Sequence, residues 1–345
     1  MKKKYDIVYL SNTPSFYKMA LCNEIAKTHS LLLVLQGKTL QAVNSSEHNL
    51  NFDIIYLYDG DMDKRPKIKV FFRLLKLMSS IECRKLLYSG WMAMEYNIYS
   101  FFSPKSKNVI VCESSKYECR FNGIMGMIKK AIINRMSTAL PSGIPHAKLF
   151  EQIGFKGSVF ITGGVGLIQK GQRPNIAKTR KRNYSYICVA RLIPVKNLEL
   201  LIRVFNKNGK SLTIVGKGEL ETQLKQMAKS NIKFWGFVEN KKMGEVYVNH
   251  DIFILPSKSE VWGLVIDEAL YWGLPVIVSD MVGANIDLVK NPGTGVIFDH
   301  KSESSLEKAI IEMESNYENY VAAVNSIDFK NRDINQVAAY KKLFE

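Results

Sequence analysis

Cysteine is scarce and unpaired in this sequence. Five occur in 345 residues, at Cys22, Cys83, Cys112, Cys119 and Cys188, with no Cys-x-x-Cys among them. That pattern excludes a zinc knuckle and a disulfide scaffold, and fits reduced thiols in a reducing compartment. Long apolar runs are also missing. No stretch approaches the ~18 apolar residues that a membrane-crossing helix needs. Three lysines precede an apolar run at residues 7–10, but Ser11, Asn12, Thr13 and Pro14 stop it. A secretion signal needs about 7–15 apolar residues, so a first strand is expected instead. The five histidines, at 29, 48, 146, 250 and 300, lie outside any ligand or base motif and read as structural or surface groups. No Asp-x-Asp follows a strand. The stretch Asp59-Gly-Asp61-Met-Asp63 reads as a surface loop, and no metal or cofactor is expected.

Acidic residues are outnumbered, 32 against 48 lysines and arginines, for a net charge of +16. Residues 1–165 carry 23 bases and 12 acids, a balance of +11, and six more bases crowd between Lys170 and Arg182. The excess therefore belongs to the first half and the joint. It would suit an anionic membrane surface or a nucleic acid. The composition is otherwise that of a folded chain, 46% hydrophobic and 23% charged, long enough for two domains.

Apolar strand-like runs alternate with helical segments. Strands are expected at 7–10, 31–35, 54–57, 109–112 and 159–161, with helices at 16–27 and 70–78. A polar, basic stretch from 169 to 183 looks like a linker. The alternation then restarts. Strands are expected at 186–190, 212–215, 233–234, 252–255, 275–278 and 295–298. Helices are expected at 198–205, 220–228, 241–249, 264–272, 303–314 and 335–343. Continuous apolar strands separated by helices mean parallel sheets covered on both faces.

The most informative segment runs from Ile252 to Asp280. A strand ends at Leu255, Pro256 and Ser257 turn the chain, and Gly263 lets the backbone approach a ligand as a helix begins at Leu264. A helix start favours an anion such as a diphosphate. Glu260 stands just before that start and Glu268 more than one turn inside, so one carboxylate can reach a sugar while the other accepts from a ribose diol. Arg191 follows a strand and Lys196 stands where the next helix begins, placing two cations beside a leaving diphosphate.

Pro256-Ser257, the pair Glu260 and Glu268, Gly273-Leu-Pro-Val and Ser279-Asp280 together resemble the retaining glycosyltransferases of family 4. The resemblance extends to Val189-Ala-Arg191-Leu with Lys196, to Gly216-Lys-Gly218, and to Trp235-Gly-Phe237-Val238, and covers about residues 186–299. It implies the GT-B fold, two Rossmann-like domains facing across a cleft. The expected division is 1–168, a linker at 169–184, 185–330, and a C-terminal helix at 331–345 packing back on the first domain. The resemblance also implies roles. Arg191 and Lys196 contact the phosphates, Glu268 holds the ribose, and Glu260 contacts the transferred sugar. Gly216, Gly218, Phe237, Val238, Gly263 and Leu264 border the nucleotide of a UDP- or GDP-linked donor.

The first half departs from that family. Ser11-Asn-Thr-Pro14-Ser stands where paired glycines are usual, and Glu113-Ser114 follows Cys112 where a histidine is usual. Ser11, Asn12, Pro14, Glu113 and Ser114 are the candidates for the acceptor or donor-sugar side. Gly163-Gly164 resembles the family's domain-junction glycine. Two basic-apolar segments, at 67–78 with Lys69, Arg73 and Lys76, and at 126–135, have the pattern of helices that lie on a bilayer. The resulting expectation is a cytoplasmic glycosyltransferase of bacterial surface-polysaccharide synthesis (O-antigen or capsule). It would act on a saccharide or polyprenyl-diphosphate-linked acceptor at the inner face of the cell membrane. A GT-B epimerase or phosphorylase is the rival enzyme. A basic nucleic-acid-binding protein is the rival non-enzyme, though the glutamate pair would have no role in it, and no nucleic-acid partner is expected.

Overall fold

The computed structural model describes residues 2–12, 14–38, 50–168, 171, 173 and 183–345. The expected linker, and the six bases within it, lie almost wholly outside the described residues, as does His48. The chain divides into two compact units, one of Met1–Gln169 with Lys330–Glu345 and one of Lys170–Phe329.

The first unit begins with β1 (Lys3–Ser11), α1 (Phe16–Ala26), β2 (Leu31–Leu35) and β3 (Asp53–Tyr56). It continues through α2 (Lys67–Ser80), β4 (Ile81–Ser89), α3 (Met94–Tyr99), β5 (Asn108–Cys112) and α4 (Gly123–Ile133), and ends with β6 (Thr138–Pro141), α5 (Ile144–Gln152) and β7 (Ser158–Val159). The strands form one parallel sheet in the order β3-β2-β1-β4-β5-β6-β7. Alternate residues sort to two cores. Ile7, Tyr9, Leu31, Leu33 and Leu35 pack with Met19, Cys22 and Ile25 of α1 and with Tyr340 and Leu343 near the C-terminus. Val8, Leu10, Leu32, Tyr88 and Ile110 pack with Val70, Leu74, Tyr96, Ile132 and Leu149 from α2, α3, α4 and α5.

Strands β4 and β6 were not expected from sequence. The first half of β4, Ile-Glu-Cys-Arg-Lys, buries only Ile81 and leaves its charged residues partly or fully exposed; Leu86, Leu87 and Tyr88 behind it are sealed in the sheet. Period-2 reasoning fails on a strand that crosses from solvent into the core. The short helices α3 and α5 were likewise missed.

The second unit runs β8 (Ser185–Val189), α6 (Leu198–Asn208), β9 (Ser211–Val215), α7 (Glu221–Met227), β10 (Ile232–Gly236), α8 (Asn240–Val248) and β11 (Ile252–Leu255). It goes on through α9 (Leu264–Tyr271), β12 (Val276–Ser279), β13 (Gly295–Phe298), α10 (Glu303–Ser315) and α11 (Tyr317–Asn325). Its sheet is also parallel, in the order β10-β9-β8-β11-β12-β13. Tyr186, Cys188, Leu212, Ile214, Ile254 and Ile277 pack against Leu201 and Phe205 of α6 and Ile310 of α10. The last helix, α12 (Phe329–Lys341), falls in the first unit from Lys330 onward.

Both sheets are doubly wound Rossmann-like sheets. The strand order reverses between β1 and β4 in the first and between β8 and β11 in the second. Ligands of such sheets bind outside the carboxyl ends of the strands at that reversal. Ser11, Ser89, Val189 and Leu255 end those four strands.

Candidate active site

In the second unit the chain leaves β8 through Arg191 and a 3-10 turn over Pro194–Lys196. Asn197 then takes a left-handed conformation, φ 56°, which asparagine tolerates better than most residues. The turn aims the ammonium of Lys196 at Glu260. The two form a close, largely buried ion pair, their side chains 14% and 17% exposed. The expected phosphate contact, Lys196, has its ammonium bonded to Glu260. Arg191 is exposed.

Glu260 is held through its backbone. Its N–H donates to Met281 O at 3.2 Å, and its carbonyl accepts from Gly283 N–H at 2.8 Å, so it bridges to the loop after β12. Ser257 Oγ donates to the same carboxylate at 3.3 Å. Gly263, at φ 102°, precedes α9, and a Cβ there would come within 2.9 Å of Ile266 Cδ1. Trp262 Nε1 donates to Asp267 Oδ2 at 2.7 Å in the first turn of α9. The leading N–H groups of α9 thus begin at Leu264 on a fixed corner.

Glu268 lies one turn further in. Burial pushes its carboxyl up to about 7 and Asp267 adds to the rise, against a hydrogen bond from Tyr247 Oη at 2.9 Å that lowers it. Tyr247 was not singled out in the sequence, where one aromatic on a helix reads as core.

The glycine turn has a clear physical cause. Ala190 N–H donates to Val215 O and Leu192 N–H to Lys217 O, both at 3.0 Å, while Leu220 N–H returns to Leu192 O at 3.0 Å. Backbone lies on backbone here. A Cβ at Gly216 would meet Ala190 O at 1.9 Å, and one at Gly218 would meet Leu192 O at 2.3 Å. Gly216 also has φ 136° and donates to Gly236 O at 2.7 Å. Phe237 and Trp235 stand exposed beside it, and His250 supports the loop from behind, its ring nitrogens 2.7 Å from Val246 O and 3.0 Å from Thr213 Oγ1. His300 joins Asp280 at 2.8 Å, and with Asp299 their ligand atoms lie within 4.8 Å of one another, a cluster the sequence reading did not find.

In the first unit, the carboxyl ends of β1, β4 and β5 gather a polar group the sequence revealed only in part. Ser11 is fully buried. It accepts from Lys18 Nζ at 3.1 Å and from Ser89 Oγ at 3.3 Å. Lys18 Nζ also lies 3.4 Å from Glu113 Oε1. Lys18 is only 7% exposed. Burial alone would lower its pKa, but Glu113 and neighbouring Tyr17 and Tyr340 reverse this, and the net direction is up. Among the described residues, Asn12 Oδ1 and Ser15 Oγ are buried without a hydrogen-bond partner, Pro14 is half-buried, and Ser114 O accepts from Cys112 Sγ at 3.4 Å. Lys18 had a readable signal. It shares the helical stripe of Leu21, Cys22 and Ile25, an apolar face where a lysine must have a partner.

On the same unit, Arg73 is exposed, and one nitrogen of its guanidinium donates to Leu57 O at 2.7 Å. The exposed side of α2 carries Ile68 and Phe72 beside Lys69, Arg73 and Lys76, and α4 exposes Ile124, Met125, Met127 and Ile128.

Residues 170–327 match the family model described as glycosyl transferases group 1, a span that coincides with the second unit. Among curated relatives, an uncharacterized glycosyltransferase of Methanocaldococcus jannaschii is 29% identical over 127 residues, 34% of this chain and 32% of that one. A GDP-mannose-dependent alpha-mannosyltransferase of Mycobacterium tuberculosis is 31% identical over 129 residues, 36% of this chain and 34% of its own. The chain thus spans about a third of the length of these relatives. Across 99% of both chains, the fold is that of sucrose-phosphate synthase from Thermosynechococcus elongatus, at TM-score 0.70 and 16% identity. HepE of Anabaena, solved with UDP-glucose, gives TM-score 0.70 and 16% identity over 99% of this chain and 98% of its own. These likenesses establish the two-domain GT-B fold.

Gly216→Ala should destabilise the second unit by roughly 2–4 kcal/mol, since it combines a backbone clash with a positive-φ position. Gly209→Ala has open space but also a positive φ, and should cost only about 1 kcal/mol. Chemical denaturation of the two variants checks the ranking. Equal losses would mean that the close approach to Ala190 is not what the glycine serves.

Proposed function

We propose that this protein is a retaining glycosyltransferase of family 4. It moves a sugar from a nucleoside-diphosphate donor to a saccharide or lipid-linked saccharide in bacterial surface-polysaccharide synthesis. The observation that carries the reading is the Lys196–Glu260 pair at the strand-order reversal of the unit that matches the group 1 transferase model. The alpha-mannosyltransferase relative is GDP-mannose-dependent and the HepE neighbour was solved with UDP-glucose, which supports a UDP- or GDP-linked donor.

In this reading the donor diphosphate draws Lys196 toward itself and meets Arg191 and the start of α9. Fixed cations and dipoles aimed at the leaving group stabilise the charge that develops there. Glu268 accepts from the ribose, and Glu260 contacts the transferred sugar. The bond between the anomeric carbon and the phosphate oxygen breaks, and the acceptor oxygen bonds that carbon on the same face. The acceptor proton passes to the departing phosphate. No metal is required, because the two cations and the helix start neutralise the leaving group. Ser11, Asn12, Pro14, Glu113 and Ser114, organised by Lys18, receive the acceptor.

The exposed apolar ridge of α4, with Ile124 77% and Met127 70% exposed, supports peripheral attachment to an anionic bilayer. Lys130 on the same helix and Lys69 and Lys76 on α2 supply charge at about 1 kcal/mol each near such a surface. No helix among the described residues is long and apolar enough to cross a membrane.

Three measurements test these points. Screening nucleotide sugars for thermal stabilisation and hydrolysis identifies the donor. With it, Arg191→Ala or Lys196→Ala should lower turnover roughly 10²–10³-fold, the scale of one lost transition-state contact. Glu268→Ala should weaken nucleotide binding, whereas Glu260→Ala should spare it and reduce transfer. Near wild-type rates in both cation variants would misplace the site. Secondly, activity should persist in excess chelator, and product NMR should show the donor's anomeric configuration; loss restored by manganese, which would point to Asp280, Asp299 and His300, or an inverted product, would refute the mechanism. Thirdly, the protein should sediment with anionic vesicles at low salt, and Ile124→Asp with Met127→Asp should release it. Sedimentation unaffected by these changes would overturn the surface assignment.

A further inference from the structure

Among the described residues, no ion pair neutralises Glu268 at the second unit's site. Lys196 is occupied by Glu260. Among the described residues, the hydrogen bond Glu268 makes through its side chain is with Tyr247 Oη, at 2.9 Å. Tyr247 is fully buried on α8, its ring 6.2 Å from that of Phe253 in β11, so its hydroxyl has little freedom to turn elsewhere. The titratable groups facing this pair are few. Asp267, from the same helix, raises the Glu268 carboxyl, and Cys188 of β8 couples to Tyr247. Burial pushes the Cys188 thiol up to about 12, so it stays neutral near pH 7.

We infer that Tyr247 is a positioning residue for the nucleotide's ribose, and that donor binding is coupled to the loss of one proton from Glu268. This rests on the reading of Glu268 as the ribose acceptor. A ribose diol offers two O–H donors. A neutral carboxyl would spend one oxygen on its own proton, whereas the carboxylate can accept from the ribose while Tyr247 fixes the second oxygen. The signs oppose each other. The buried carboxyl is raised from an ordinary 4.5 to about 7. The folded protein therefore holds the proton more tightly than the unfolded chain. Its contribution to stability is present at low pH and lost as pH rises from about 4.5 to 7. Donor affinity runs the other way and rises over the approach to pH 7. Tyr247 lowers the Glu268 carboxyl by its hydrogen bond, so it sets where on the pH scale the site opens.

The test uses UDP-glucose and GDP-mannose, diphosphate diesters that lack the second phosphate ionisation near about pH 6. Calorimetric titrations from pH 5.5 to 8.5, in buffers of different ionisation enthalpy, give affinity and protons released together. The wild-type protein should bind at least one donor about tenfold more weakly for each pH unit below its midpoint, releasing close to one proton at pH 6. Glu268→Gln should bind weakly and without pH dependence. Tyr247→Phe should shift the midpoint upward by about one unit, with affinity recovering by pH 8.5. A packing role alone would lower affinity equally at every pH. A flat wild-type profile, or a Tyr247→Phe loss that does not recover at high pH, overturns the inference. Failure of both donors to bind at any pH instead removes the proposed function, and this inference with it.

Discussion

Asn197 donates from one amide nitrogen to two carbonyls in different loops, Pro256 O at 3.1 Å and His300 O at 2.9 Å. Its left-handed backbone makes this reach possible, and it is the one non-glycine residue with positive φ among the described residues. Three connections at the carboxyl edge of the second sheet are joined there, those after β8, β11 and β13. Lys258 N–H adds a bond to Val195 O at 2.8 Å. Lys196 is the residue immediately before Asn197, and Glu260 stands four residues after Pro256. The contact between the two charges follows from this frame. Long charged side chains left to find each other at a surface contribute little, because ordering them costs rotamer entropy. Here the loops have met that cost already.

The same frame sets the electrostatics around Lys196, Glu260 and Glu268. Two charges removed from water repay their desolvation only when paired with good geometry. Lys196 and Glu260 satisfy that condition in each other. A bound diphosphate would give Lys196 a second anion, and a bound sugar would give Glu260 hydroxyl donors. The pair is then shared with the ligand, and neither group is stranded. Glu268 is different. Its burial is relieved by a neutral phenol alone, which leaves its charge unbalanced and its protonation open to whatever occupies the site.

The second unit was legible because its chemistry and its backbone geometry use the same residues. Gly216, Gly218 and Gly263 each stand where a side chain would strike other atoms, so the motif in sequence is the imprint of close packing. Strands such as 252–255 and 295–298 are wholly apolar or nearly so, and were placed to the residue. The first unit was harder to read. Its β4 carries charge in its exposed half, its α3 is only six residues long, and the polar group at its strand ends assembles from residues spread between 11 and 113. No local window contains Ser11, Lys18, Ser89 and Glu113 together. Tyr247 and Asn197 escaped for a related reason, since each acts on a group twenty or more residues away.

Lys18 shows what such a long-range group implies physically. A lysine 7% exposed must have its charge compensated, and the only carboxylate paired with it among the described residues is Glu113. Glu113 is 31% exposed, so one end of the pair faces solvent while the other is sealed under Tyr9, whose ring lies 5.6 Å from the ammonium. A purely structural pair gains nothing from an open carboxylate, which water would screen. A ligand-facing carboxylate gains a great deal from a buried cation behind it, because the cation fixes its orientation without competing for the ligand. Asn12 Oδ1 and Ser15 Oγ in the same loop, which have no partner among the described residues, carry a desolvation cost of roughly 1–3 kcal/mol each as they stand. Hydroxyl groups of a bound saccharide would relieve it. The first unit thus shares one feature with the second at its own strand-order reversal, a charged pair set by the fold.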